Sequence, residues 1–226
     1  MKNKIGIIGQ GFVGTAVREG LKDFFNIETY DIAKESTCDS LDEICRKTKI
    51  LFVCLPTPMK TDGSCHIGIV EDVLEQIYAT GHCNTIIVKS TIPPGTTAMW
   101  NKKFEGMDIE FNPEFLTEAN SINDFKNQSR IIIGGPKKAA SKVRRLYTKA
   151  FPKVPIIKTD STYAEMVKYV TNCFLAMKVS FANEMYEITN ALGIDYDKVI
   201  EYAMHDERLG YSHWSVPGPD GDFGYG

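Results

Sequence analysis

Short apolar runs alternate with amphipathic stretches along most of this chain. Ile5 to Ile8 is an unbroken apolar run, the mark of a strand covered on both faces. Val13, Ala16, Val17, Leu21 and Phe24 then recur at helical spacing. Further runs at Ile27 to Tyr30, Ile50 to Leu55, Thr85 to Lys89, Asp108 to Phe111, Arg130 to Ile133 and Pro155 to Lys158 predict strands. Helices are predicted between them: from a Ser40 cap through Lys47, over Ile67 to Ile77, over Thr96 to Phe104, a short one opened by Asn112-Pro113, and one through Ala150. Repeated βα units of this kind imply a doubly wound, mostly parallel sheet with helices on both faces, here over residues 1–159.

Residues 160–226 read differently. From Ser161 to Leu192 there is no Pro or Gly, and Tyr163, Val167, Val170, Phe174, Met177, Phe181, Met185, Ile188 and Leu192 stand three or four apart. One long helix is predicted, ended by Gly193, with a shorter one from Tyr196 to about Met204. The long helix is apolar nearly all round, so it should be covered on several sides, and a homodimer through it is expected. Val216 to Gly226 is rich in glycine and proline, and the chain stops inside it. The expectation is a piece of a longer protein.

The junction of the first strand and helix carries Gly9-Gln10-Gly11-Phe12-Val13-Gly14, a G-x-G-x-x-G pattern. In a dinucleotide site the first glycine permits the turn, the second lets the backbone approach a pyrophosphate, and the third allows close helix–strand packing. The helix N-terminus then offers free N–H groups to the phosphates. Asp31 closes the second strand about twenty residues on, where a carboxylate accepts from ribose hydroxyls and disfavours a 2′-phosphate. This predicts a Rossmann-like site for NAD rather than NADP. The competing reading is a glycine-rich turn that merely follows a strand. Ligands on such sheets sit at the carboxyl ends of the strands, which gathers Leu55-Pro56-Thr57-Pro58, Ser90-Thr91 and Asn112-Pro113-Glu114 around one crevice.

Composition narrows the class. The chain has 226 residues, 43% hydrophobic and 24% charged, with a net charge of −3. That is ordinary globular composition with no basic footprint for nucleic acid. No run approaches a membrane span, and no apolar leader precedes the first strand, so a cytoplasmic protein is expected. The cysteines 38, 45, 54, 65, 83 and 173 are then expected to be reduced thiols. Cys65-His66 and His82-Cys83 lack metal-ligand spacing, and no metal is expected.

Two pairs could carry chemistry. Lys168 and Asn172, four apart on the long helix, suit an oxyanion or hydroxyl group. The alternative is that Lys168 pairs with Glu165, with Asn172 satisfying a nearby backbone group. Glu114 and Glu118 fall four apart on the helix predicted after Asn112. They could accept a proton and activate water, or simply complement that helix's dipole. Thr91 offers a hydroxyl at a strand end.

Several segments together resemble the UDP-glucose/GDP-mannose dehydrogenase family. Lys89 to Thr97 is similar to its K-S-T-x-P-x-G-T segment, and Asn112 to Glu118 to its N-P-E-F-L-x-E. Ala164 to Ala176 is similar to its A-E-x-x-K-x-x-x-N-x-F-L-A helix, and Leu55-Pro56-Thr57-Pro58 with Asp62-Gly63 to its T-P-x-x-x-D-G loop. The resemblance spans the chain. It implies NAD-dependent, two-step oxidation of a nucleotide sugar's C6 alcohol to the carboxylate, UDP-glucose to UDP-glucuronate first among the candidates, through a cysteine thiohemiacetal and thioester. It implies that Thr91 and Glu118 hold the catalytic water, Glu114 accepts a proton or contacts substrate, Lys168 stabilises the oxyanion, and Asn172 binds sugar or water. NAD contacts are implied at Gly9, Gln10, Gly11, Phe12, Val13, Gly14, Asp31, Leu55, Pro56, Thr57, Ser90, Thr91 and Glu118. Substrate contacts are implied at Glu114, Phe115, Leu116, Lys168, Asn172, Phe223, Gly224, Tyr225 and Gly226, and at Arg208, which would reach the partner subunit's substrate.

This sequence departs from the pattern in two ways. The family's G-G-x-C-F-P-K-D nucleophile motif and its UDP-binding domain would follow Gly226, so the fragment alone is expected to be inactive. The segment from Arg208 to Gly224 also looks longer than the family loop. Two other readings stay open: an NAD-dependent β-hydroxyacid dehydrogenase, against which the N-P-E-F-L-x-E segment and glycine loop argue, and a non-catalytic NAD-binding dimerisation module.

Overall fold

The computed structural model describes residues 3–82, 84–218 and 221–223. By its contacts the chain divides into two units, Met1–Lys168 and Tyr169–Gly226.

The first unit is built on a seven-stranded sheet: β1 (Lys4–Ile8), β2 (Asn26–Tyr30), β3 (Ile50–Val53), β4 (Thr85–Val88), β5 (Asp108–Phe111), β6 (Ile131–Gly134) and β7 (Ile156–Thr159). The spatial order is β2-β1-β3-β4-β5-β6-β7. Its helices are α1 (Phe12–Leu21), α2 (Leu41–Lys47), α3 (Gly68–Ala79), α4 (Thr96–Lys103), α5 (Ser121–Lys126) and α6 (Lys137–Ala150). Strand residues alternate between two cores. Ile8, Leu51, Val53, Ile86 and Val88 face one with Ile44, Leu74 and Trp100 from α2, α3 and α4. Ile5, Ile7, Phe52 and Ile87 face the other with Val17, Phe125 and Leu146 from α1, α5 and α6. Two covered faces explain why the strands read as unbroken apolar runs.

The sheet is mostly parallel, as the pattern predicts, with one reversal. β1 to β5 are parallel, but β6 meets β5 antiparallel at Phe111 and Gly134, and β7 runs parallel to β6. One expectation needs correction: Asn112-Pro113 does not open a helix. Residues 112–117 are irregular, and the helix starts only at Ser121.

The long helix α7 runs from Ser161 to Leu192, as the spacing predicts, and Gly193 follows it at φ +67°. Ala164, Glu165 and Lys168 are buried in the first unit.

The second unit contains the rest of α7 and α8 (Tyr196–Ala203), whose N-cap Asp195 accepts from the Asp197 and Lys198 amides. Buried Lys178 donates to the Leu209 carbonyl at 3.0 Å, and the Trp214 indole donates to the Gly210 carbonyl at 2.9 Å. Among the described residues the predicted coverage of α7 is not met: Phe174, Met177 and Leu192 are each more than 60% exposed.

Candidate active site

The glycine turn behaves as its spacing predicts. Gly9 has φ +88°, and a Cβ there would lie 2.4 Å from the Cys54 carbonyl oxygen. A Cβ on Gly14 would lie 1.9 Å from the Gly9 carbonyl oxygen. A Cβ on Gly11, by contrast, would meet nothing within 4 Å. The first and third glycines are therefore demanded by the chain, and the second faces open space. Helix α1 starts at Phe12 with no side-chain cap and no acid in its first turn.

That open space is a cavity of about 640 Å³ at the carboxyl ends of β1 and β3. Gly9, Gly11, Phe12, Val13, Asp31, Leu55, Pro56 and Ser90 line it, with Tyr30, Ile32, Ile69 and Val73. β1 lies between β2 and β3, so consecutive connections leave it in opposite directions, and a crevice opens there. Its contents fit a dinucleotide: a backbone turn free of side chains, an uncapped helix N-terminus, apolar walls for an adenine, and one carboxylate.

Asp31 is set by its surroundings. Its Oδ2 accepts from the Gln10 amide at 2.6 Å, and Oδ1 from the Ala33 and Lys34 amides at 2.8 and 3.1 Å. Burial alone would raise its pKa. The three amide donors and the Lys34 charge outweigh burial and hold the carboxyl below its usual range, so it stays ionised.

Other predicted cofactor residues brace the crevice. The Gln10 side chain donates to the Glu35 carbonyl and accepts from Arg18. Ser90 Oγ accepts from the Leu55 amide and donates to the Leu55 carbonyl. Thr57 Oγ1 donates to the Thr91 carbonyl at 2.8 Å. These bonds tie the loop after β3 to the loop after β4.

Beyond Ser90 comes a buried polar knot. Lys89 is 3% exposed and donates to Asn112 Oδ1 at 2.9 Å and, more distantly, to the Pro113 carbonyl. Tyr147 also donates to Asn112 Oδ1, while Asn112 Nδ2 donates to the Ile132 carbonyl at 2.6 Å. Burial depresses the Lys89 pKa to about 8 despite the nearby Glu114 carboxylate. Asn112 thus bonds β4, β6 and α6 together instead of capping a helix. Lys89 lies inside the K-S-T segment and is a functional residue beyond those predicted from sequence. Its signal was a cation closing an otherwise apolar strand.

Asn112 and Pro113 deliver Glu114 to Lys168. Lys168 Nζ donates to Glu114 Oε1 at 2.6 Å and to the Glu114 carbonyl at 2.7 Å, and Glu114 Oε2 accepts from the Leu116 amide at 2.8 Å. Both side chains are at most a tenth exposed. The Lys168–Glu165 alternative is therefore excluded. Glu165 instead accepts from the Gly95 and Thr97 amides at 2.6 and 2.8 Å, bonding the N-terminus of α4. Phe115 packs under the Arg130 guanidinium, 4.1 Å from its ring centroid, and Leu116 packs on the second core.

Glu118 is exposed while the Glu114 side chain is a tenth exposed, and the helix that would have set the two on one face is not formed. Thr91 is half-buried. In the second unit Asn172 is exposed, Arg208 pairs with Asp206, and Phe223 packs against Tyr186. Gly224, Tyr225 and Gly226 lie outside the described residues, as does Cys83.

Fold and crevice define a dinucleotide-binding α/β protein. Residues 19–151 match the NAD binding domain of the UDP-glucose/GDP-mannose dehydrogenase family, and residues 162–224 match its central domain. The chain belongs to that family. It is 31% identical over 210 residues to a UDP-glucose 6-dehydrogenase of Bacillus subtilis, covering 86% of this chain and 47% of the relative. It is 33% identical over 228 residues to a GDP-mannose 6-dehydrogenase of Pseudomonas syringae, covering 93% and 51%. A UDP-glucose dehydrogenase structure from Pyrobaculum islandicum superposes with a TM-score of 0.85 at 28% identity, over 95% of this chain and 59% of that one. The chain spans about half the length of the curated relatives it matches.

Proposed function

We propose that this chain is the cofactor-binding part of an NAD-dependent nucleotide-sugar dehydrogenase, oxidising a C6 alcohol to the carboxylate, with UDP-glucose the first candidate substrate. The Lys168 ammonium carries this reading: it is held by Glu114 at the end of a chain of contacts running from the glycine cavity through Ser90, Lys89 and Asn112. NAD, when bound, supplies the hydride acceptor for each of the two oxidations.

The roles follow from the chemistry of each group. Gly9, Gly11 and the first turn of α1 receive the pyrophosphate. Asp31 accepts from the adenine ribose and repels a 2′-phosphate. Lys168 stabilises negative charge on the substrate oxygen and, beside Glu114, forms a proton-exchanging pair. Thr91 and Glu118 hold water, and Asn172, Arg208 and the glycine segment ending at Gly226 contact sugar. Residues 1–159 form the NAD-binding domain, and residues 160–226 begin the dimerisation and substrate region.

The covalent step needs a thiolate. Burial pushes the Cys45 thiol to about 11 and the Cys54 thiol to about 12, and it also raises Cys38, so these three are poor nucleophiles. We expect the 226-residue chain to bind NAD but not to make a uronate; if it does make one, Cys173, exposed on α7, is the first alternative nucleophile. The free cysteines among the described residues suit a reducing cytoplasm. No described helix is long and apolar enough to cross a membrane. The exposed apolar residues of α7 support a homodimer through that helix, which light scattering would report; a monomer at tens of micromolar would count against it.

The deciding experiment is turnover of the full-length protein with UDP- and GDP-sugars, alongside NAD and NADP titrations. Two NADH per UDP-glucose and a preference for NAD are expected. Replacing Lys168 with Ala should slow turnover about a hundredfold, the usual loss for one oxyanion donor, with NAD affinity nearly unchanged. Equal or tighter NADP binding would refute the role of Asp31.

A further inference from the structure

At the amino ends of the strands, opposite the glycine turn, lies a cationic cavity that the proposed reaction does not use. Its volume is about 750 Å³, and Lys4, Lys47, Lys49, Lys142, Arg145 and Lys149 line it. These residues come from β1, α2, the loop before β3, and α6, so the tertiary fold assembles the cluster. Three are matched by carboxylates: Lys4 by Glu28 at 2.7 Å, Lys47 by Glu43 at 2.7 Å, and Lys142 by Asp108 at 3.1 Å. Lys149 donates to the Phe24 carbonyl at 3.0 Å and stands 4.7 Å over the Phe25 ring. Lys49 and Arg145 are exposed, and their side chains have no hydrogen bond or ion pair among the described residues. Cations therefore outnumber their paired carboxylates here on a chain whose net charge is −3. An adjoining cavity adds Arg144 and Lys158 and has no acidic residue in its lining.

The floor has a different character. Ile50 presents partly exposed apolar surface beneath the charged rim, backed by the buried Ile5, Phe25 and Leu146. A bare anion would satisfy the rim and leave this floor wet. A ligand with phosphates and a flat apolar body would satisfy both. A cleft lined by one sign of charge concentrates its counter-ion, and a guanidinium suits phosphate oxygens in a fork geometry. The volume falls within the range of small-molecule sites.

We propose that this cavity is a second ligand site that binds a nucleoside polyphosphate, its phosphates against Lys49, Arg145 and Lys149 and its base on the floor at Ile50. The site is separate from the NAD crevice, and its occupation does not depend on the oxidation chemistry.

The test is calorimetric titration of the full-length protein, first with NAD and then, at saturating NAD, with ATP, inorganic tripolyphosphate or adenosine. One ATP should bind the NAD-loaded protein, tripolyphosphate at least fivefold more weakly, and adenosine not measurably. ATP affinity should fall as salt rises, because the contacts are phosphate–cation pairs. The double variant Lys49→Glu with Arg145→Glu removes only the cations that lack partners. It should weaken ATP at least tenfold while leaving NAD affinity and the melting temperature unchanged. Absence of ATP binding to NAD-loaded protein, or ATP affinity within twofold of wild type in the double variant, would overturn the site. Tripolyphosphate binding as tightly as ATP would overturn the nucleoside assignment. NAD binding is read separately, so failure of the NAD reading would show in the first titration alone.

Discussion

The turn at Gly9–Gly14 and the loop at 112–118 both follow a β-strand and both feed the proposed site, yet they are shaped by different forces. The first is governed by sterics between near neighbours in space: a Cβ at Gly14 would strike the Gly9 carbonyl, and one at Gly9 the Cys54 carbonyl. The second is governed by a buried polar knot, in which Asn112 takes bonds from Lys89 and Tyr147 and gives one to Ile132. A steric requirement leaves its trace in the residue type. A requirement for distant partners does not, because the same Asn-Pro pair also suits a helix start.

Substitutions can break this contrast in order of effect. Gly14→Val should be the most damaging, costing at least about 4 kcal/mol, because backbone stands where its side chain must go. Urea unfolding would show the loss, and near-native stability would mean the turn can relax.

Asn112→Ala comes next. It strands Lys89, the Tyr147 hydroxyl and the Ile132 carbonyl in the interior, at about 1–3 kcal/mol for each group left unsatisfied. A melting temperature within a degree of wild type would show that the knot does not hold the loop. Glu114→Ala should also be costly, by about 3 kcal/mol, because it leaves the buried Lys168 charge without its carboxylate.

A third effect depends on pH. Glu110 on β5, two residues before the loop, is fully buried, and both its carboxylate oxygens lack hydrogen-bond partners. Burial, with a smaller push from Asp108, raises its pKa from 4.5 to about 8. Between those values the folded chain keeps a proton that the unfolded chain has released. Stability should therefore fall as pH rises through this window, and the contribution is lost above about 8. Lys89 acts with the opposite sign and at higher pH. Its depressed pKa means that the unfolded chain binds the extra proton between about 8 and 10.5, so stability rises there. Glu110→Gln should flatten the lower window only, as read by denaturant midpoints across pH. An unchanged slope would remove Glu110 as its source.

The smallest effects sharpen the comparison most. Gly11→Ala has room and an ordinary φ of −65°. Its stability should stay within about 0.5 kcal/mol while NAD binding weakens. Glu118→Ala, at an exposed position, should also stay within about 0.5 kcal/mol, in contrast to Glu114→Ala. A Gly11 variant with full NAD affinity would sink the pyrophosphate assignment.

Much of the plan was legible in the chain itself. The apolar pattern gave seven strands and the extent of α7, because burial on two faces must be written in residue type at successive strand positions, and burial of a helix at every third and fourth. Ser40 as the cap of α2, Gly193 as the stop of α7 and the glycine turn were readable for the same local reason. The reversal of β6 and β7, the irregular loop at 112–117, the partner of Lys168 and the cations under the sheet were decided only by the tertiary structure. Each depends on residues far apart in sequence: Lys168 lies 54 positions from Glu114, and Asn84 bonds the Cys45 carbonyl 39 positions away. Side-chain chemistry declares what a residue can bond to. Only the packed chain, which must satisfy every buried polar group at once, decides which partner it gets.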